Sequence, residues 1–132
     1  MDSLTQLVLG SAVAYVVVGK QLGKRSLLLG AVAGTLPDLD SVPLTLLKDD
    51  FLMLKHHRGL THSLLFCLLS PCLLAYLTRF FTSILSFKLW YWLYFWVFLT
   101  HTLLDCFTSW GTQLFWPLVP RLAFNSIFII DP

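Results

Sequence analysis

An all-α, polytopic membrane bundle of about four membrane segments is what this sequence predicts, as a single unit over residues 1–132. Apolar residues fill 57% of the 132 positions, aromatics 15% and charged residues only 12%, which leaves too little polar surface for a water-soluble domain. The apolar residues come in successive runs with few polar breaks, so lipid is their natural solvent. Chemistry-bearing side chains gather at the ends of those runs.

The first run, Leu4 to Val18, spans about 22 Å if helical, short of the roughly 30 Å hydrocarbon core unless flanking residues join it. Asp2 precedes it and Lys20, Lys24 and Arg25 follow, the reverse of a signal peptide's charge order, so it is expected to be retained. Ser26 to Leu36 is shorter still. It carries Gly30 and Gly34, at the spacing that lets two membrane helices approach closely, and Pro37 ends it. Asp38 to Gly59 is polar and broken, the longest loop. Leu60 to Leu77 and Leu85 to Leu104 are the strongest spans. The aromatic run from Trp90 to Phe98 in the second is read as packing, lipid contact and an interfacial belt. Leu114 to Ile130 is interrupted by Pro117 and Pro120, so it is expected to be interfacial or kinked rather than a clean crossing. The chain stops at Asp131-Pro132, straight after an apolar run, as a fragment would.

The net charge of +2 is small and the nine basic residues are scattered, which gives nucleic-acid binding no electrostatic support. Cys67, Cys72 and Cys106 lie inside apolar segments without metal-type spacing and read as small core or lipid-facing residues. A Gly-rich phosphate loop, a Gly-x-Ser-x-Gly elbow and glutamate are all missing, which disfavours nucleotide chemistry and a serine triad. With Lys20, Lys24 and Arg25 in the cytoplasm, as positive-inside statistics favour, Asp38, Asp40, His62, His101 and Asp105 all fall at the outer face. Inverting the topology moves the face and keeps them together.

Three motifs carry the chemistry. His101 and Asp105 are four residues apart, so one helix face presents both and they can share a cation. Ionisable residues inside a span are costly and usually line a site; the alternative is a His–Asp pair bonded to each other at a helix end. Asp38 and Asp40 follow Pro37 and offer hard oxygen ligands to zinc, manganese or magnesium, although aspartates also serve turns structurally. His57, Arg58, Gly59, Leu60, Thr61, His62 and Ser63 put two imidazoles, a guanidinium and two hydroxyls at the mouth of a span. His62 lies in the first turn of the run, where an unpaired imidazole is expensive, and Thr61 or Ser63 can cap the helix. Arg58 can hold an anion through two hydrogen bonds or snorkel to lipid headgroups; either role involves phosphate.

At Met1 to Thr5, Leu36 to Asp40, His57 to Ser63, and His101 through Pro117, the sequence resembles the LexA-regulated, membrane-bound metal-dependent hydrolase family of bacterial inner-membrane proteins. In the last stretch His101, Asp105, Thr108, Gly111, Trp116 and Pro117 keep that family's spacing. One departure stands out: many relatives carry histidine where this chain has Gln6, and a neutral amide is a poor replacement ligand. Longer members continue past Asp131-Pro132, which makes Asp131 a further candidate for the site. More loosely, the pattern resembles the all-helical zinc-dependent phospholipase C group, which suggests phosphodiesters.

The expectation is therefore a multi-pass inner-membrane protein binding a divalent metal, zinc before manganese or magnesium, through Asp38 or Asp40, His62, His101 and Asp105, with His57 as a further ligand. Arg58 and Asp38 would serve catalysis on a lipid or lipid-linked ester or phosphodiester by a metal-activated water. The rival readings are a scaffold whose polar cluster ties helices together, and a metal-handling or transport protein. A scaffold needs no metal; a transporter needs ligands near the bilayer midplane.

Overall fold

In a computed structural model, residues 3–40, 60–108, 111–118, 122–124 and 126 are described. They form four α-helices: α1 (Ser3–Leu22), α2 (Arg25–Thr35), α3 (Leu64–Phe81) and α4 (Phe87–Cys106). Two short 3-10 segments, Leu36–Asp40 and Leu60–His62, follow α2 and precede α3.

The first apolar run proves longer than its hydrophobic boundary. α1 continues past Val18 to Leu22 and its 20 residues rise about 30 Å, because Lys20 and Gln21 are good helix formers that extend it past the apolar stretch. It stops where Gly23 takes φ +56°, a left-handed turn that glycine adopts without steric cost. α2 has 11 residues, about 16 Å, roughly half a hydrocarbon core. Pro37 ends the α-winding as expected, and the chain tightens into the first 3-10 segment. Among the described residues one helix, α3, has both the length and the hydropathy of a membrane span. The described residues are thus helical in architecture, with four α-helices but not four established crossings.

α4 is the hub, contacting α1, α2 and α3. Trp90, Leu93, Tyr94, Val97, Phe98, His101, Thr102 and Asp105 are all buried along it, a stripe with the three- and four-residue steps that keep one helix face inward. The stripe is apolar for its first two turns and becomes polar at His101. Ala14 and Val18 of α1, Ala33 of α2 and Cys67 and Ala75 of α3 complete the apolar core. The expectation for the cysteines holds: Cys67 and Cys106 are buried, Cys72 is exposed, and all three are free thiols.

The molecule is inverted relative to a water-soluble protein. Gln6, Ser26, His62, Ser63, His101, Thr102, Asp105, Thr108 and Thr112 are buried, while Val16, Leu28, Leu73, Phe80 and Phe81 are among many large apolar side chains left exposed. Contiguous apolar surface on this scale is costly in water and neutral in lipid, whereas buried polar groups need internal partners in either.

Where Gly10 of α1 meets Gly30 and Gly34 of α2, the backbones touch. A Cβ on Gly10 would collide with the Gly30 carbonyl, one on Gly30 with the Gly10 carbonyl, and one on Gly34 would sit 2.7 Å from the Gln6 carbonyl. The small-residue spacing does bring two helices together, and α1 supplies the third glycine.

After α4 the described residues form no helix. Thr112 and Leu122 pair as an isolated antiparallel bridge, Leu64 N–H donates to the Leu114 carbonyl and Phe124 N–H to that of Cys106. This stretch therefore seals the end of the bundle where α3 begins and α4 ends. Phe115, Trp116, Leu118 and Phe124 are exposed on it.

Candidate metal centre

Consecutive helices run up and down, so the start of α1, the end of α2, the start of α3 and the end of α4 share one end of the bundle. Each contributes to a single polar cluster. His101 and Asp105 come from the last two turns of α4, Asp38 from the 3-10 segment after α2, and His62 from the 3-10 segment before α3. One donor atom from each lies within 4.8 Å of every other.

Five of the six separations are close to those between the corners of a coordination tetrahedron, and the sixth, between Asp38 and Asp105, is at most 4.8 Å. His62 Nε2 is 3.3 Å from Asp38 Oδ1 and 3.2 Å from Asp105 Oδ2. His101 Nε2 is 3.4 Å from Asp38 Oδ1, 3.8 Å from Asp105 Oδ2 and 3.2 Å from His62 Nε2. Donors placed 2.0–2.1 Å from a common centre at tetrahedral angles would be about 3.3 to 3.4 Å apart. The alternative of His101 and Asp105 paired to each other fits less well, because each lies closer to His62.

The tautomer of His101 follows from its outer partner. Its Nδ1 is 2.8 Å from the Gly34 carbonyl oxygen, which only accepts, so Nδ1 carries a proton and Nε2 is left as the nitrogen that can donate to a metal. Outer hydrogen bonds of this kind orient metal-binding imidazoles. Gly34 can supply that oxygen because α2 ends one residue later, leaving its last carbonyls without helical partners. His62 Nδ1 is 3.0 Å from Thr61 Oγ1. Gln6 Nε2, from the first turn of α1, donates to Asp105 Oδ1 at 3.0 Å.

The electrostatics favour a cation. Two carboxylates stand among two imidazoles, and the side chains of His62, His101 and Asp105 are at most 1% exposed against 26% for Asp38. Burial pushes the Asp38 carboxyl up, but hydrogen bonds to His101 and His62 outweigh it and hold the group well below the usual carboxylate range. For His62 burial pulls basicity down, and hydrogen bonds to Asp105 and Asp38 outweigh that, raising it. Both directions express one field, that of anionic oxygens drawing positive charge to the middle of the cluster.

Ser63, between the 3-10 turn and α3, sets the position of His62. Its Oγ accepts from Phe66 N–H at 3.1 Å and donates to the Leu60 carbonyl at 2.7 Å, so of the two capping candidates Ser63 caps the helix while Thr61 bonds the imidazole. Ser63→Ala is expected to cost about 1 kcal/mol, read as a lower melting midpoint in detergent. Ser86→Ala should cost less, since Ser86 is exposed and its cap bond on α4 is 3.4 Å.

Of the predicted ligands, Asp38, His62, His101 and Asp105 come together. The Asp40 side chain, His57, Arg58 and Asp131 lie outside the described residues. Reasoning from sequence missed the Gly34 carbonyl and Thr61 as outer partners; for Gln6 it left open a lost ligand or a purely hydrogen-bonding role, and the structure shows the hydrogen bond, to Asp105. Pro37 was the available signal for Gly34, because a helix stopped there leaves carbonyls free one turn earlier.

The fold and the site together define an all-helical protein with lipid-compatible surfaces and a candidate metal centre at one end of its bundle. The chain belongs to the YdjM inner membrane protein family, which it matches over residues 1–132. That agrees with the inner-membrane, LexA-regulated resemblance and does not extend to hydrolysis. The chain is also similar to the uncharacterized protein YfhP of Bacillus subtilis strain 168, 31% identical over 141 residues. The alignment takes in all of this chain and 42% of that protein, so the chain spans less than half of this curated relative's length. No solved structure matches.

Proposed function

We propose that this protein is a multi-pass membrane hydrolase that uses a divalent metal, zinc first, to cleave an ester or phosphodiester of a lipid or lipid-linked substrate. The observation that carries this reading is the convergence within 4.8 Å of four donors, two nitrogen and two oxygen, three of them on buried side chains braced from outside the cluster. Zinc suits such a set better than magnesium, which demands octahedral oxygen and retains water. Bound there, a zinc ion would supply Lewis acidity and an acidified water for attack on the substrate.

The chain's own residues divide the remaining work. His62 and His101 hold the site as neutral nitrogen donors, and Asp105, fully buried, supplies a fixed anionic oxygen. Asp38 is the partly exposed member of the four, so substrate approaches from its side and its carboxylate is placed to pass a proton outward. Arg58, four residues before His62 in sequence, is the guanidinium we assign to the developing negative charge. A site where helices begin and end lies at headgroup depth if the bundle spans the bilayer, which favours a lipid substrate. With Lys20, Lys24 and Arg25 inside, that face is non-cytoplasmic.

Elemental mass spectrometry of detergent-purified protein, followed by a screen of phospholipids for released headgroup or acyl chain, tests the proposal. About one zinc per chain together with cleavage that a chelator abolishes is expected. No metal after loading with zinc or manganese would leave the cluster as a helix tie; metal without cleavage of any ester or phosphodiester would favour metal handling.

A further inference from the structure

Gln6 is almost fully buried, 1% exposed, at the start of α1. Its Nε2 donates to Asp105 Oδ1 at 3.0 Å, the only sense open to an amide N–H. The other oxygen, Oδ2, faces His62 Nε2 at 3.2 Å and belongs to the donor cluster. One carboxylate is thus divided between two tasks, with Oδ1 engaged by an amide and Oδ2 turned to the site. A carboxylate free to rotate would offer both oxygens to a cation and raise the coordination number.

We propose that Gln6 is a positioning residue of the metal centre: its amide N–H holds Asp105 Oδ1, so Asp105 donates through Oδ2 alone and the centre keeps four protein donors. The inference rests on the reading of the cluster as a metal site. It adds a residue on α1, so that every helix-end contribution, from α1 through α4, is needed to shape the centre. Gln6 Oε1 accepts no hydrogen bond from the described residues, so the amide's contribution to the protein network there is the N–H.

The test uses the full chain in detergent, loaded with zinc or with cobalt(II) as a spectroscopic stand-in. Gln6→Met keeps the volume and removes the N–H, and Gln6→Leu does the same should the first variant not fold. Zinc affinity, measured against a competing chelator, is expected to weaken about 10- to 100-fold. The visible cobalt bands should change as Asp105 adds its second oxygen to the ion, and the melting midpoint of the metal-free protein should fall too, because buried Oδ1 loses its partner. A packing role alone would be satisfied by Met and would move neither readout. Wild-type affinity and spectrum in the variants would overturn the inference while leaving the metal site standing. Failure of the wild type to bind either ion would overturn the metal reading itself.

Discussion

His101→Ala is expected to strip the purified protein of stoichiometric divalent metal, and His62→Ala to do the same. Each imidazole provides one of four converging donors, and His101 Nε2 stands within 3.2 to 3.8 Å of the other three donor atoms. Loss of the cation would leave Asp105, fully buried, without the positive charge it faces, the situation in which a buried carboxylate becomes destabilising. The His101 variant also frees the Gly34 carbonyl that Nδ1 now engages. Affinity should fall by more than the roughly 100-fold upper range seen for outer partners, because a direct donor is lost. Metal content per chain and chelator competition measure this. Wild-type stoichiometry in both variants would mean that the cation, if any, is held elsewhere.

Gly30→Val should be the most disruptive single substitution outside the cluster. A side chain at Gly30 would run into the Gly10 carbonyl and the Ala14 methyl of α1. Backbone atoms cannot swing aside as a flexible side chain can, so α1 and α2 must separate, at a cost of about 3 kcal/mol or more. The damage would reach the metal centre, since α1 carries Gln6 and α2 carries the Gly34 carbonyl. Both the melting midpoint in detergent and the metal content are therefore expected to fall. Gly19→Ala is the control: the added Cβ would meet only the Tyr15 ring, at 3.0 to 3.3 Å, which can turn away. Equal loss in the two variants would show that helix contact at Gly30 is not what matters.

Much of the site was legible because its chemistry is local. His101 and Asp105 share a helix face by spacing alone, and Asp38 and His62 each sit at the edge of an apolar run, where an ionisable group has no reason to be unless something uses it. The aromatic run does supply packing, though its division was not visible in the sequence: Trp90, Tyr94 and Phe98 are buried while Trp92 and Trp96 are exposed. The number of crossings was harder to read. Apolar composition says that a segment tolerates lipid, whereas crossing requires length as well, and α2 has only 11 residues.

By itself the sequence pointed to the helical class, the lipid-compatible surface and, among its candidate ligands, the four that come together, because burial preference, helical period and the cost of charge in lipid act within a few residues of each position. Only the tertiary structure decided that those donors converge within 4.8 Å of one another, that His101 Nδ1 bonds the Gly34 carbonyl, and that Gln6 bonds Asp105 from 99 positions away. Such contacts depend on how four helix ends meet. That is set by backbone approach at Gly10, Gly30 and Gly34 and by the buried stripe of α4, geometry that no local pattern encodes.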